Sequence, residues 1–190
     1  MKVLGISGSP RKGGNTDVLL EKALEGARSS GAETEKIVLN DLNIAPCQEE
    51  EYEKVNDEGL SIVNDDMNVI FQKIKECDAL LLASPIFFGS LSAQTKIMID
   101  RFQCVWVSKT LHGKEMFPDK KPGGLICVEA TAREDFFDNA KQIVGHFFAT
   151  VNVIKKGEVL CMGVDRKASV LEKSEKLDEA YDLGKLLAES

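Results

Sequence analysis

Short apolar runs alternate with amphipathic stretches along the whole chain. Residues 3–7 form a brief apolar run that ends in Gly8-Ser9-Pro10, which reads as a buried strand and its turn. Leu20, Ala23, Leu24 and Ala27 then repeat at helical spacing, and Gly31 closes that segment. Residues 36–39 read as a second strand. Met67, Ile70, Phe71 and Ile74 make a helix stripe behind Asp65 and Asp66, which can cap it. Residues 79–83 are almost continuously apolar, as in a third strand buried on both faces, and Pro85 is expected to end it. Residues 93–102 read as a helix that starts after Ser90 or Ser92, and residues 124–128 as a fourth strand. Phe136, Phe137, Ala140, Ile143, Val144, Phe147 and Phe148 form a wide helix stripe. Residues 153–162 contain a fifth strand, broken by Lys155, Lys156 and Gly157. Leu177, Ala180, Tyr181, Gly184, Leu187 and Ala188 repeat as a last helix.

Five strand–helix units of this size predict an α/β chain with a parallel sheet and helices on both faces, in one domain over residues 1–190. Two segments, 40–59 and 103–122, read as long and irregular. Loops of that length in a compact domain are functional or interfacial. The first carries Glu49-Glu50-Glu51, a solvated acidic face, and the second carries Trp106, His112 and Met116. Interface packing is the expected role of Trp106.

Charge narrows the partners. Lys and Arg number 24 against 31 Asp and Glu, a net charge of −7. That argues against nucleic acid, whose backbone needs a basic footprint, but allows one local phosphate site. No stretch approaches the ~18 apolar residues of a membrane span, and the N-terminal run is too short for a signal segment, so no membrane partner is expected. No two of the five cysteines lie within four residues of each other, so no CxxC pair exists. They read as reduced, mostly buried thiols of a cytoplasmic protein.

The main chemical signal is the loop Ser7-Gly8-Ser9-Pro10-Arg11-Lys12-Gly13-Gly14-Asn15-Thr16. It lies between the first strand and the first helix, where α/β folds bind phosphate. Its glycines let backbone N–H groups turn inward. Ser7, Ser9, Asn15 and Thr16 offer short polar side chains, and Arg11 or Lys12 can neutralise charge. Gly14-Asn15-Thr16 stands where a triphosphate loop needs Gly-Lys-Thr, and the G-x-G-x-x-G of a dinucleotide loop is missing. A monophosphate dianion fits best; a plain capped turn is the bland alternative.

This loop resembles the FMN-phosphate loop of the NADPH-dependent FMN reductase family, and within it the iron–sulfur flavoproteins. Ser84-Pro85-Ile86-Phe87-Phe88-Gly89-Ser90-Leu91-Ser92-Ala93 is similar to the family's second ligand loop, followed by Lys96 and Asp100-Arg101. The resemblance covers about residues 1–102 and implies a flavodoxin-like three-layer sandwich with strand order 2-1-3-4-5. It implies that Ser7, Ser9, Pro10, Arg11, Gly14, Asn15 and Thr16 hold the phosphate. Pro85, Ile86, Phe87, Phe88, Gly89 and Ser90 would meet the flavin ring, with Gly89 and Ser90 as N–H donors at a helix start. Ala130 and Thr131 carry over from a third loop, and Arg133 reads as a solvent-exposed arginine.

The function so implied is FMN-dependent oxidation of NADPH or NADH, with electrons passed through the flavin to a quinone, flavin, azo compound or metal acceptor. The alternative is a flavodoxin-like electron carrier. No catalytic side chain and no metal site are expected; His112 and His146 lack a carboxylate pattern. The iron–sulfur flavoproteins carry a compact cysteine run after the second strand. Here only Cys47 remains, followed by Gln48-Glu49-Glu50-Glu51-Tyr52, so no iron–sulfur cluster is expected. A homodimer or homotetramer is expected from the family and from the 103–122 segment.

Overall fold

The computed structural model describes residues 1–48, 61 and 63–190. The acidic run at 49–51 and most of the 40–59 segment lie outside the described residues. In chain order the elements are β1 (Lys2–Ser7), α1 (Asn15–Ser29), β2 (Glu33–Val38), α2 (Met67–Glu76), β3 (Ala79–Phe87), β4 (Ser90–Leu91), α3 (Ala93–Asp100), α4 (Gln103–His112), β5 (Lys121–Val128), α5 (Phe136–Thr150), β6 (Val153–Cys161) and α6 (Ser174–Ala188). The five long strands are parallel in the order β2-β1-β3-β5-β6, and β4 folds back on the tip of β3. Counting long strands only, this is the expected 2-1-3-4-5.

Alternation along the strands divides the core. Leu4, Ile6, Leu80, Leu82, Leu125 and Cys127 face α2 and α5, where Phe71, Phe102, Phe147 and Phe148 form a chain of ring contacts. Val3, Leu81, Ala83, Ile126 and Val128 face α1 and α6. Those two helices approach closely because each gives up a side chain at the crossing. A Cβ on Gly184 would stand 1.7 Å from the Ala23 carbonyl oxygen, and one on Gly26 would stand 2.0 Å from that of Tyr181.

Three expectations change. Residues 103–112 are helical, not irregular. Cys104, Val105 and Ser108 form the buried face of α4, a stripe disguised by its polar-looking members. Gly113, at φ 64°, ends it. Strand β3 runs through Pro85 to Phe87. Strand β1 ends opposite Ala83, so beyond that point β3 pairs only with β5 in this layer, where a missing N–H is tolerated. Strand β6 is continuous: Gly123 pairs with Lys155 and Gly124 with Gly157, so Lys156 is a bulge residue rather than a break.

Two buried cations fasten loops to this frame. Lys121 Nζ donates to the carbonyl oxygens of Ile74 and Cys77, both at 2.7 Å, and so caps the end of α2. Arg101 donates to Asp65 Oδ2, the Ala45 carbonyl oxygen and Ser61 Oγ. Asp65 also accepts from the Met67 N–H at 3.0 Å, so it does cap α2. Among the described residues, no helix is long and apolar enough to cross a membrane.

Candidate functional site

The carboxyl ends of β1, β3, β5 and β6 surround one cavity of about 240 Å³. It lies at the β1–β3 boundary, where the strand order reverses, the usual ligand crevice of an open α/β sheet. Its lining comes from three loops expected from the sequence and a fourth that was not.

The first loop leaves β1 at Ser7. The Gly8 N–H donates to the Ala83 carbonyl oxygen at 2.7 Å, so the loop is pinned to β3 at once. Gly13 takes φ 68°, and its N–H donates to Asp17 Oδ2 at 2.8 Å. Ser9, Pro10, Arg11, Gly14, Asn15 and Thr16 line the cavity. The N–H groups of Asn15 and Thr16, in the first turn of α1, have no partner within the helix, and they present the positive end of its dipole. Asp17 would repel an anion here, but Lys36 Nζ sits 3.0 Å from its Oδ1. Burial lowers the Lys36 pKa; hydrogen bonds with Glu21 and Asp17 outweigh that and hold it above the usual lysine value.

Individual side chains differ from expectation. The Asn15 amide faces away from the cavity: it donates to the carbonyl oxygens of Val164 and Arg166 and accepts from the Val170 N–H at 3.1 Å. Asn15 therefore offers a ligand only its backbone. Lys12 is drawn off to Asp41, at 2.7 Å. Arg11 stays at the rim, with Nη1 donating to the Asp165 carbonyl oxygen at 3.3 Å. Ser7 does not line the cavity, and its buried Oγ has no hydrogen-bond partner among the described residues.

The second loop is a hairpin. Phe87 pairs with Ser90 and Ile86 with Leu91, around a Phe88-Gly89 turn with φ 51° and 70°. Pro85, Ile86 and Phe87 line the cavity; Phe88, Gly89 and Ser90 do not. Gly89 and Ser90 do not start a helix, because Ser92 is the cap of α3: its Oγ accepts from the Thr95 N–H. Phe87 and Phe88 are exposed apolar rings beside the cavity mouth. Behind the hairpin, Ser84, Ser92 and Thr95 form a buried hydroxyl network that reaches the Gly8 carbonyl oxygen. A Cβ on Gly8 would fall 1.8 Å from Thr95 Oγ1, so the loop lies against this network and has no room for a side chain.

The third loop gives Val128, Glu129 and Ala130 to the lining. Thr131 does not line the cavity; its Oγ1 donates to Glu129 Oε2 at 2.7 Å. Arg133 is exposed, paired with Asp135 at 2.6 Å and set 4.4 Å from the centre of the Phe136 ring. Glu129 heads this loop, and nothing in the sequence marks it as buried. The fourth loop, with Val164 and Asp165, follows β6. Its place after a parallel strand was the available signal.

Elsewhere, Trp106 is half exposed on α4, beside a groove shared with His146 and Thr150 of α5. His112 ends α4 and His146 is exposed on α5. Cys77, Cys104, Cys127 and Cys161 are buried and Cys47 is partly exposed. Burial pushes the Cys77 and Cys104 thiols up to about 11 and the Cys127 thiol to about 12. Among the described residues, no group of three His, Cys, Asp or Glu side chains could hold a metal ion.

Comparison with known proteins identifies the family. The sequence profile described as NADPH-dependent FMN reductase matches residues 1–159. Iron-sulfur flavoprotein MJ1083 of Methanocaldococcus jannaschii is 37% identical over 158 residues, 83% of this chain and 77% of that protein. YwqN of Bacillus subtilis, named as an NAD(P)H-dependent FMN-containing oxidoreductase, is 32% identical and covers 96% of each chain. Some iron-sulfur flavoproteins are longer, and the matched part spans 63% and 55% of two of them. In structure, the chain is similar to an NAD(P)H:quinone oxidoreductase from Methanothermobacter marburgensis, with TM-score 0.74 and 19% identity over 98% of this chain and 96% of that one. A helix-start anion loop at the β1–β3 crevice suits a flavin that carries a phosphate, and with the profile match running across it the chain belongs to the NADPH-dependent FMN reductase family and is a flavin-dependent oxidoreductase.

Proposed function

We propose that the cavity at the β1–β3 crevice holds FMN and that the chain oxidises NADPH or NADH, passing the electrons to a small-molecule acceptor such as a quinone, a free flavin, an azo compound or a metal ion. The observation that carries this is the union of an anion cradle with exposed rings at one mouth. The cradle fits a dianion: first-turn N–H groups of Asn15 and Thr16, and the Arg11 guanidinium. A cavity of about 240 Å³ lies below the ~300–1,000 Å³ that encloses a drug-sized ligand, so a molecule of FMN's size extends out of it toward Phe87 and Phe88.

Bound FMN supplies hydride acceptance and electron donation; the chain supplies placement and electrostatics. Ser9, Gly14 and Thr16 hold the phosphate end, and Arg11 offsets its charge. Pro85, Ile86, Phe87 and Ala130 give an apolar wall. No side-chain acid or base is assigned. Only Cys47 lies in the segment that carries the cysteine run in iron–sulfur flavoproteins, so we assign the electrons to FMN alone. A homodimer or homotetramer that covers the Trp106 face is part of this reading, as is a reducing, cytoplasmic setting for five free thiols.

Purification in the presence of FMN tests it. The expected result is a yellow protein with one FMN per chain and steady NAD(P)H oxidation when a quinone is supplied. Bound FMN without NAD(P)H oxidation would instead identify an electron carrier. A colourless protein that ignores added FMN removes the flavin reading.

A further inference from the structure

Glu129 is the one buried acid in the cavity lining that the proposed function leaves unused. It directly follows β5 and is 3% exposed. Its Oε2 accepts from Thr131 Oγ1 at 2.7 Å and its Oε1 from the Arg133 N–H at 2.8 Å. Both donors are neutral. The Arg133 guanidinium is turned outward to Asp135, and among the described residues no ion pair includes Glu129. Desolvating a buried carboxylate is costly, and the Arg133 charge, held by Asp135, acts on it only through space. Shaping the loop does not require that cost, because the single oxygen of a glutamine can accept two hydrogen bonds.

The opposite end of the cavity is cationic. Arg11 stands at the rim with Asp165 in the lining beside it, and outside the lining Lys167 lies against Gly13, with Nζ 3.8 Å from where a Cβ on Gly13 would be. Strands β1 and β5 are separated by β3, so the two ends lie roughly 10 Å apart. The slot therefore has a polarity: it attracts an anion at the β1 end and repels one at the β5 end.

We propose that Glu129 sets the protonation of the reduced flavin ring at the β5 end of the cavity, excluding the anionic form by its charge. The inference rests on the FMN reading. A nicotinamide hydride brings two electrons and one proton to the ring. A second proton, taken from water, leaves the reduced ring neutral; without it the ring is anionic. The Glu129 charge acts in a poorly screened site, so it raises the energy of the anion and keeps the second proton bound. Above the pH at which the ring would otherwise lose that proton, Glu129 therefore weakens binding of the reduced ring relative to the oxidised one and makes the flavin a stronger reductant toward its acceptor.

The test is the two-electron reduction potential of FMN-loaded full-length protein against pH, for wild type, Glu129→Gln and Thr131→Val. Above the wild-type transition in proton uptake, reduced FMN in Glu129→Gln should bind at least tenfold more tightly relative to oxidised FMN, an upward shift of about 30 mV for a two-electron couple, while the two proteins should agree at lower pH. The pH at which proton uptake falls from two to one per electron pair should be higher in wild type than in Glu129→Gln. Thr131→Val disturbs the loop and keeps the charge, so it should keep the wild-type transition pH. Above that transition, an unchanged or lowered potential in Glu129→Gln, or an equal upward shift in Thr131→Val, overturns the proposal. If Glu129→Gln does not fold, the wild-type curve decides: a transition at the pH of free FMN overturns it, and one displaced upward supports it. Failure of the wild type to bind FMN overturns the underlying reading, and this inference with it.

Discussion

The Ser92 hydroxyl donates to the carbonyl oxygen of Gly8 at 2.7 Å, joining two ligand loops that are 84 residues apart in the chain. Ser92 Oγ also accepts from the Thr95 N–H at 3.2 Å, so one side chain caps α3 and holds the turn of the first loop. The fixed turn aims the following N–H groups at the cavity.

Ser92→Ala removes both bonds and leaves Thr95 Oγ1 short of a partner in a buried site. We expect a loss of about 1–2 kcal/mol in folding free energy, from the lost cap and the stranded polar atoms. FMN affinity should fall more than stability alone explains, because the first loop loses its anchor. Urea unfolding and FMN titration read the two effects separately. A variant that keeps wild-type FMN affinity would show that the anchor does not shape the loop.

The Arg101–Asp65 pair predicts an acid-sensitive link. Its two side chains are 2% and 7% exposed. Burial raises the Asp65 pKa, but hydrogen bonds from Arg101 and from the Ala45 and Met67 N–H groups outweigh it, leaving the carboxyl below its usual value. A folded pKa below the unfolded one gives stability that is present above the unfolded value, about 4, and lost as pH falls through the folded value. Asp65→Ala should cost about 3–5 kcal/mol at pH 7, since it leaves Arg101 buried and unpaired. Urea midpoints at pH 7 and pH 3 should converge between variant and wild type at the lower pH. Parallel curves would refute the link.

Thiol reactivity gives a prediction independent of any cofactor. The thiolate is the reactive form, and burial pushes Cys77, Cys104 and Cys127 to about 11, 11 and 12, and raises Cys161 above its usual value. Only Cys47 is partly exposed. Iodoacetamide at pH 8 should label Cys47 alone in the native protein and all five cysteines after unfolding, as counted by intact mass. Rapid native labelling of a second cysteine would contradict the packing around it.

The first strand, its loop and α1 were legible because an apolar run, a Gly/Ser turn and a helical stripe follow one another within thirty residues. Helix α4 was not, because Cys104 and Ser108 occupy buried positions that read as polar. Pro85 read as a strand end; it is tolerated because β1 stops two residues earlier, a fact of the sheet rather than of the segment. Asn15 read as a phosphate ligand by its neighbours, yet its side-chain partners lie 149 to 155 residues away. Local pattern carried the fold and the location of the site. Long-range contacts decided which side chains face a ligand.

Phe88 separates stability from binding. It holds φ 51° at the first central position of a two-residue hairpin turn, where both φ values are positive, and its ring is fully exposed. A bulky residue in that region is strained by about 1–2 kcal/mol, and nothing among the described residues packs on the ring in return. Asparagine followed by glycine is the preferred sequence for such a turn. Phe88→Asn should therefore stabilise the fold by about 1 kcal/mol, read as a higher urea midpoint with unchanged slope. If the ring is kept for ligand contact beside the cavity, the same variant should weaken FMN or raise KM for the acceptor severalfold. A gain in stability with both constants unchanged would show that the exposed ring serves neither ligand.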